Sequence, residues 1–393
     1  MKQRKIFGFS QNVFILSLVS LLNDIGGQTI KYAIPLFLTN ALGIKTSIIG
    51  IVEGIGEAAP TLFQPLSGII SDKLQKRKPL VFIGQLLRLL ISLLYFTNSW
   101  WLVLFLRFLD RSGKGIQAAP RDALLSLSSD AKNQGKSFGL SRAFDNIGAV
   151  VGLLLAAAII SLTAKNSSLL SLEIFQKIVL LAFIPMFIAL ILLALFIQDI
   201  KIKRNSGSQS KLNFHTDRKF FILLFIIFIF TLGNSSDAFL ILKAQYSGFS
   251  LMSIFILLAL FSFTASLVNI PAGIVSDKIG RKKTIVLGWL IYSLIYLGFG
   301  ITTNQSAVLA LFLAYGIYFG LTEGVLKAFI ADVVPPEKKG TAYGLYNLVS
   351  GGTLLFSSLI AGFLWQIFSP SAAFYFGAVM AIAATVFLYI LVK

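Results

Sequence analysis

Apolar residues fill this chain in runs of about 20, each closed by a short polar stretch. Such a run, coiled as a helix, is long enough to cross a hydrocarbon core of about 30 Å. The pattern predicts spans at about 12–39, 46–71, 79–97, 100–126, 138–163 and 174–197. A second set follows at about 219–245, 250–276, 284–302, 305–331, 341–367 and 371–392. Between the sets lies QDIKIKRNSGSQSKLNFHTDR (198–218), the longest polar stretch, which reads as a flexible linker. The expected domains are therefore 1–197, the linker 198–218, and 219–393. The expected fold is an all-α membrane protein with 12 transmembrane helices in two six-helix bundles.

An internal repeat supports that division. Gly68-Ile-Ile-Ser-Asp72-Lys73 returns as Gly273-Ile-Val-Ser-Asp277-Lys278, 205 positions later. The same offset joins Gly115 to Gly320, Gly135 to Gly340 and Gly139 to Gly344. One ungapped shift running through four helices implies two halves with a common helix arrangement, related by an axis along the membrane normal.

Composition agrees with the membrane reading. The chain is 56% hydrophobic and only 13% charged, about half the charged share of a soluble domain. The net charge of +18 would suggest nucleic acid in a soluble protein, but no aromatic-interleaved basic module is present. The cations instead gather in alternate loops: Lys2-Arg4-Lys5, Lys73 to Lys78, Lys132 to Lys136, Lys201 to Lys219, Lys278 to Lys283 and Lys338-Lys339. Loops facing the other way hold only Lys45, Lys165 and Lys177. That alternation predicts both termini in the cytoplasm, and the cytoplasmic (inner) membrane is the expected location. The first apolar run leads into further spans and lacks a small-residue cleavage site, so it is not read as a removable signal. Without cysteine no disulfide or thiol metal site can form, and the lone His215 sits in the polar linker. No metal and no cofactor are expected, and a monomer is.

After spans 2 and 8 stand GIISDKLQKRK (68–78) and GIVSDKIGRKK (273–283). Both resemble the loop signature of the major facilitator superfamily, G-x-x-x-D-[RK]-x-G-[RK]-[RK]. The second copy matches throughout, whereas the first has Gln75 where glycine is usual. A small glycine there would let neighbouring helices approach closely, and a helix-end carboxylate can pair with cations or cap a helix N-terminus. By resemblance Gly68, Asp72 and Arg77, with Gly273, Asp277 and Arg281, are gating residues that latch one access state. Arg111-x-x-Lys114-Gly115 is similar to a second pattern of the superfamily, R-x-x-Q-G, with lysine in place of glutamine. The wider DRSGKGIQAAPRDAL resembles a prokaryotic subgroup marked by GKGI-x-x-x-PRDAL. The family's drug/proton antiporters often carry Gly-Pro in helix 5; GAVVG (148–152) here has no proline.

Ionisable residues fall inside the predicted spans in number, and each would cost about 2.5–3.5 kcal/mol at mid-membrane. They must pair or line a hydrated cavity. In span 4, Arg107, Arg111, Lys114 and Arg121 recur at spacings of three, four and seven, forming one positive stripe, with Asp110 able to pair with Arg107 or Lys114. Arg88 stands out at the centre of span 3, a helix that is peripheral in the family. Glu323 and Lys327, four apart, favour each other. Glu53 and Glu57 share a face, and low dielectric with mutual repulsion disfavours double ionisation. Glu53, Glu57, Asp24 and Asp145 are therefore candidate proton carriers, with permanent pairing to Arg88, Arg111 or Arg142 as the structural alternative. Candidate substrate-binding residues are Asp24, Gln28, Arg107, Arg111, Lys114, Asn234, Asp237, Tyr318 and Glu323, helices 1, 4, 7 and 10 lining the cavity in the family.

The function these readings imply is secondary active transport of a small solute, anionic or zwitterionic, by alternating access with a coupling proton. Efflux is favoured over uptake of a small organic anion. A transport-inactive sensor or scaffold on the same fold would show a broken charge network and an appended signalling domain. An enzyme would need a nucleophile or metal cluster that this composition does not supply.

Overall fold

The computed structural model describes residues 5–129, 134–163, 169–200, 218–334 and 339–392. After a two-residue-per-strand hairpin (Lys5–Ile6 with Phe9–Ser10), the described chain is helical: α1 Gln11–Asn40, α2 Thr46–Leu74, α3 Lys78–Leu89 continued by a 3₁₀ stretch Leu90–Phe96, α4 Trp100–Leu127, α5 Gln134–Thr163 and α6 Leu172–Phe196. Then come α7 Arg218–Gly233, α8 Ala238–Tyr246, α9 Leu251–Ile279, α10 Arg281–Ile301, α11 Gln305–Val333, α12 Lys339–Ile367 and α13 Pro370–Leu391. With α7 and α8 taken as one interrupted span, these make twelve crossings at the expected places, and the protein is an all-α membrane protein.

Among the described residues, ten stretches are apolar and long enough to span by composition alone. The two long helices that miss this standard are α2 and α4, of 29 and 28 residues, or about 42–44 Å at 1.5 Å per residue. α4 misses it through charge, carrying Arg107, Asp110, Arg111, Lys114, Arg121 and Asp122. The apolar part of α2 carries only Glu53 and Glu57 and falls short in hydropathy, with Pro60, Gln64 and Pro65 adding to the effect.

The chain forms two compact units. Unit 1 comprises Met1–Ile44, Ala59–Ser206 and Leu251–Ala259; unit 2 comprises Lys45–Ala58, Gly207–Ser250 and Leu260–Lys393. Both differ from a simple division at the linker, because α2 and α9 are each shared. The first half of α2 belongs to unit 2 through polar ties: Ser47 N–H donates to Gln366 Oε1 (3.3 Å) and Ser236 Oγ–H to Glu53 Oε2 (3.0 Å).

Each unit carries the repeat in its packing. In unit 1 a Cβ on Gly115 would come 2.8 Å from Pro60 Cα and 3.2 Å from Phe63 Cβ. In unit 2 a Cβ on Gly320 would come 2.7 Å from Ala265 O and 2.9 Å from Val268 Cβ. Pro60 and Phe63 stand 205 positions before Ala265 and Val268, so one glycine contact joins equivalent helices in both units. Gly68 and Gly273 do not play the close-contact role expected of them. A Cβ on Gly68 would meet only Ala119 Cβ at an ordinary 3.5 Å, and one on Gly273 would meet nothing within 4 Å.

Unit 1 buries Val13, Leu16 and Val19 of α1 with Val81, Leu124 and Leu193, and Phe37 stacks on Phe175 at 3.9 Å. Side-chain and backbone bonds hold the described start of the linker, residues 198–200. Gln198 N–H donates to Asn12 Oδ1 (3.1 Å), and Asp199 accepts the Arg77 N–H on both oxygens (3.1 and 3.0 Å), capping α3. Residues 201–217, His215 among them, lie outside the described residues, as does the side chain of Asp72.

Candidate functional site

In unit 1, α3 approaches α4 through facing glycines. A Cβ on Gly84 would lie 2.6 Å from Gly113 O, and one on Gly113 would lie 2.5 Å from Gly84 O. This approach explains Arg88, one turn beyond Gly84. Its Nε lies 3.6 Å from Asp110 Oδ1, both side chains largely buried, and its Nη1 donates weakly to Gln117 Oε1 at 3.5 Å. Asp110 is thus paired across helices with Arg88, where the sequence pointed to Arg107 or Lys114 on its own helix.

Between α1, α3, α4 and α5 lies a cavity of about 240 Å³. Four cationic side chains line it (Arg88, Lys114, Arg121, Arg142), with the carboxylates of Asp24 and Asp145 and the amides of Asn23, Gln28, Gln117 and Asn146. Asp24 stands in the field of Lys114, Arg88 and Arg121 and of the like-charged Asp145. Arg121 donates to Ser20 Oγ (2.8 Å) and pairs with Asp122 at 3.2 Å; Arg142 pairs with Asp145 at 3.8 Å. Asn23 and Gln85 exchange two amide hydrogen bonds, 2.8 and 2.7 Å, fixing α1 against α3. Gln28 Oε1 is buried without a hydrogen-bond partner among the described residues, an acceptor turned to the cavity wall.

The cavity brings together Asp24, Gln28, Lys114 and Asp145 of the expected set. Arg107 and Arg111 do not line it and are buried, 1% and 8% exposed, nearer the start of α4. Ser20, Asn23, Gln117, Arg142 and Asn146 line it although sequence reasoning did not select them as site residues. Their signal was available: each is polar inside an otherwise apolar run.

Unit 2 holds a second polar cluster at the break between α7 and α8. Residues Asn234 to Asp237 leave the helix, and the freed backbone groups find partners, as groups in hydrocarbon must. Tyr292 O–H donates to Gly233 O (3.0 Å), Ser236 N–H to Ser358 Oγ (3.3 Å), and Ala238 N–H to Ser236 Oγ (3.3 Å). Glu53, 1% exposed, meets this break through the Ser236 hydroxyl. Asn234 accepts weakly from Tyr292 and Asp237 from Tyr315, both at 3.4 Å. Tyr318 is 4% exposed in an aromatic group with Tyr292 (4.8 Å between centroids), Tyr315 and Phe230. Glu323 pairs with Lys327 at 3.3 Å, and Glu57 lies half-buried one turn beyond Glu53.

At the second loop signature Arg281 bridges Asp277 (3.6 Å) and Asp332 (3.0 Å). At the first, Arg77 is 6% exposed and its backbone is held by Asp199. The position of the usual glycine has φ +96° at Gly280 and φ +51° at Gln75, its repeat counterpart. Both turns therefore hold a positive φ at this position, one of them with a side chain that disfavours it.

The family model described as Major Facilitator Superfamily matches residues 16–260 and 223–393. The uncharacterized MFS-type transporter MJ1317 of Methanocaldococcus jannaschii is 37% identical over 387 residues, 95% of this chain and 93% of that protein. Quinolone resistance protein NorA of Staphylococcus aureus is 24% identical over 177 residues, 45% of each chain. The crystal structure of a D-xylose-proton symporter superimposes with a TM-score of 0.78 at 15% identity, covering 98% of both chains, a likeness of fold. Matched along nearly its whole length by the family model and by a 37% identical relative, the chain belongs to the major facilitator superfamily and is a membrane transporter.

Proposed function

We propose that this transporter moves a small solute bearing an anionic group by alternating access coupled to protons, and that the unit 1 cavity receives the charged end of the solute. One observation carries the reading: Arg88, Lys114, Arg121 and Arg142 converge on a space of about 240 Å³ that also holds Asp24 and Asp145, roughly the liquid volume of eight waters. Four cations and two carboxylates share its wall, which suits an anion or a zwitterion. Asp24 supplies the coupling: ionised, it neutralises neighbouring cations; protonated, it releases them to an incoming anion. Glu53, buried at the broken helix, is the corresponding carrier in unit 2.

The partial likeness to NorA supports export. The Asp24 arrangement supports a second reading, uptake, because a proton and an anion that favour each other's binding travel together. One experiment separates them. Purified protein is screened for thermal stabilisation by small organic acids, zwitterions and drugs, since a specific ligand raises stability by mass action. The ligand found is then followed in proteoliposomes under imposed pH gradients of either sign. Accumulation down the proton gradient means symport and accumulation against it antiport. Transport indifferent to both gradients would refute proton coupling. Charge-neutral replacement of Lys114 and Arg121 that left ligand stabilisation unchanged would refute the site.

A further inference from the structure

Away from the charged cavity, unit 1 has a larger pocket of about 510 Å³ where α2 ends, α3 begins and α6 ends. Its walls are Pro79, Phe82 and Ala194, and its rim carries Gln75, Lys76, Lys78 and Asp199. Two features set it apart from a packing defect. The first is charge placement: Lys76 is exposed, and Lys78 gives one of its three N–H bonds to Ala194 O (2.7 Å), its other two donors meeting no acceptor among the described residues. Asp199 turns its carboxylate to the N–H groups at the start of α3, and the two lysines outnumber it, so the rim keeps a net positive charge that favours an anion. The second is strain: Gln75 holds φ +51° where its repeat counterpart is glycine, and a side chain kept in a disfavoured backbone conformation points to a role for that side chain.

The chemistry of the occupant follows from the surroundings. The helices flanking the pocket expose Ile83 and Leu86 on α3 and Ile191 and Leu195 on α6, the apolar faces that meet acyl chains in a bilayer. The floor is apolar and the rim cationic, at the end of three spans and beside a basic loop. A soluble anion would use only the rim, whereas a lipid uses both. We infer that this pocket binds an anionic membrane lipid, Lys76 and Lys78 holding the headgroup phosphate, the Gln75 amide donating beside them and the Phe82–Ala194 floor receiving the glycerol end of the chains. The site is separate from the solute cavity and does not depend on which solute is carried.

The test uses the purified full chain in neutral detergent, with thermal unfolding followed as phosphatidylglycerol, phosphatidylcholine or glycerol phosphate is added. The expected result is a saturable rise in Tm with phosphatidylglycerol alone. Lys76→Gln should weaken the apparent affinity about five-fold and the Lys76→Gln, Lys78→Gln double variant about thirty-fold, one cation's worth of surface attraction at each step. Lys283→Gln, at the counterpart of Lys78 in the second loop, controls for diffuse attraction and should leave the affinity unchanged. Gln75→Gly should weaken the lipid response while leaving the protein folded. Equal stabilisation by phosphatidylcholine, equal stabilisation by glycerol phosphate, or an equal loss in Lys283→Gln would each overturn the inference.

Discussion

Substituting alanine for Gly84 tests how the charged cavity is built. The new Cβ would lie 2.6 Å from Gly113 O and 2.8 Å from Gln117 Cβ. Ordinary contact begins near 3.4 Å, so α3 and α4 must separate by about 0.8 Å (3.4 minus 2.6). The nearest obstacle is backbone, which cannot swing aside. One turn on, the same displacement takes Arg88 Nε and Asp110 Oδ1 from 3.6 Å to about 4.4 Å, beyond ion-pair range. Overpacking costs about 1–3 kcal/mol, while alanine's better helix propensity returns about 1 kcal/mol. The net loss is therefore up to about 2 kcal/mol, a fall in Tm of up to about 8 °C. Gly139→Ala is the control, because a Cβ there meets nothing within 4 Å and Tm should hold or rise. The assay is thermal unfolding of both variants together with solute transport in proteoliposomes. If Gly84→Ala unfolds and transports like the parent, the glycine contact does not position Arg88.

Asp24→Asn should keep ligand stabilisation yet make transport insensitive to an imposed pH gradient; a variant still driven by the gradient would exonerate Asp24. Ser236→Ala removes the hydroxyl that donates to buried Glu53 and should lower stability by about 1.5–3 kcal/mol, read as a fall in Tm, whereas Glu53→Gln retains an acceptor and should lower it less. At the paired turns, Gly280→Ala should destabilise by about 1 kcal/mol and Gln75→Gly should stabilise by up to a similar amount, since only glycine occupies positive φ without strain; equal and small shifts of Tm in both would remove the strain argument.

Much of the fold was legible because membrane spans announce themselves by composition over about 20 residues, and the 205-residue offset reappears physically as Gly115 on Pro60 and Gly320 on Ala265. The break after α7 was missed because averaging over a long window lets Phe and Ile mask Gly233-Asn-Ser-Ser-Asp237, five consecutive turn formers. One partner of Asp110, Arg88, was missed for another reason. Spacing of three or four finds neighbours on one helix, while Arg88 arrives from α3 over a glycine contact that no local rule contains. Asp199 was assigned to a flexible linker on composition, yet it caps α3 because the unfilled N–H groups of a helix start attract a nearby carboxylate. The polar lining of the cavity was only half legible: charged residues stood out inside the apolar runs, whereas neutral ones such as Asn23 and Gln117 carry a weaker signal of the same kind.

The charges of α4 raise the question of why the chain keeps them. Six ionisable groups at about 2.5–3.5 kcal/mol each come to about 15–21 kcal/mol if left facing lipid, more than the whole stability of a typical fold. Pairing removes that cost without making the pairs an asset, because a buried ion pair often does no better than apolar residues of similar size. The Arg88–Asp110 pair, with side chains 9% and 14% exposed, allows the point to be measured. Asp110→Leu alone leaves a buried guanidinium without its carboxylate and should destabilise by about 3–5 kcal/mol. Leucine at both positions should recover most of that loss, or exceed the parent by about 1–4 kcal/mol, while abolishing solute transport. Such an outcome separates stability from function at one site and shows that these charges are held for the work of the cavity. A double variant as unstable as the single one would mean that the pair holds unit 1 together, and the case for a transport role would then have to rest on Asp24 and Lys114.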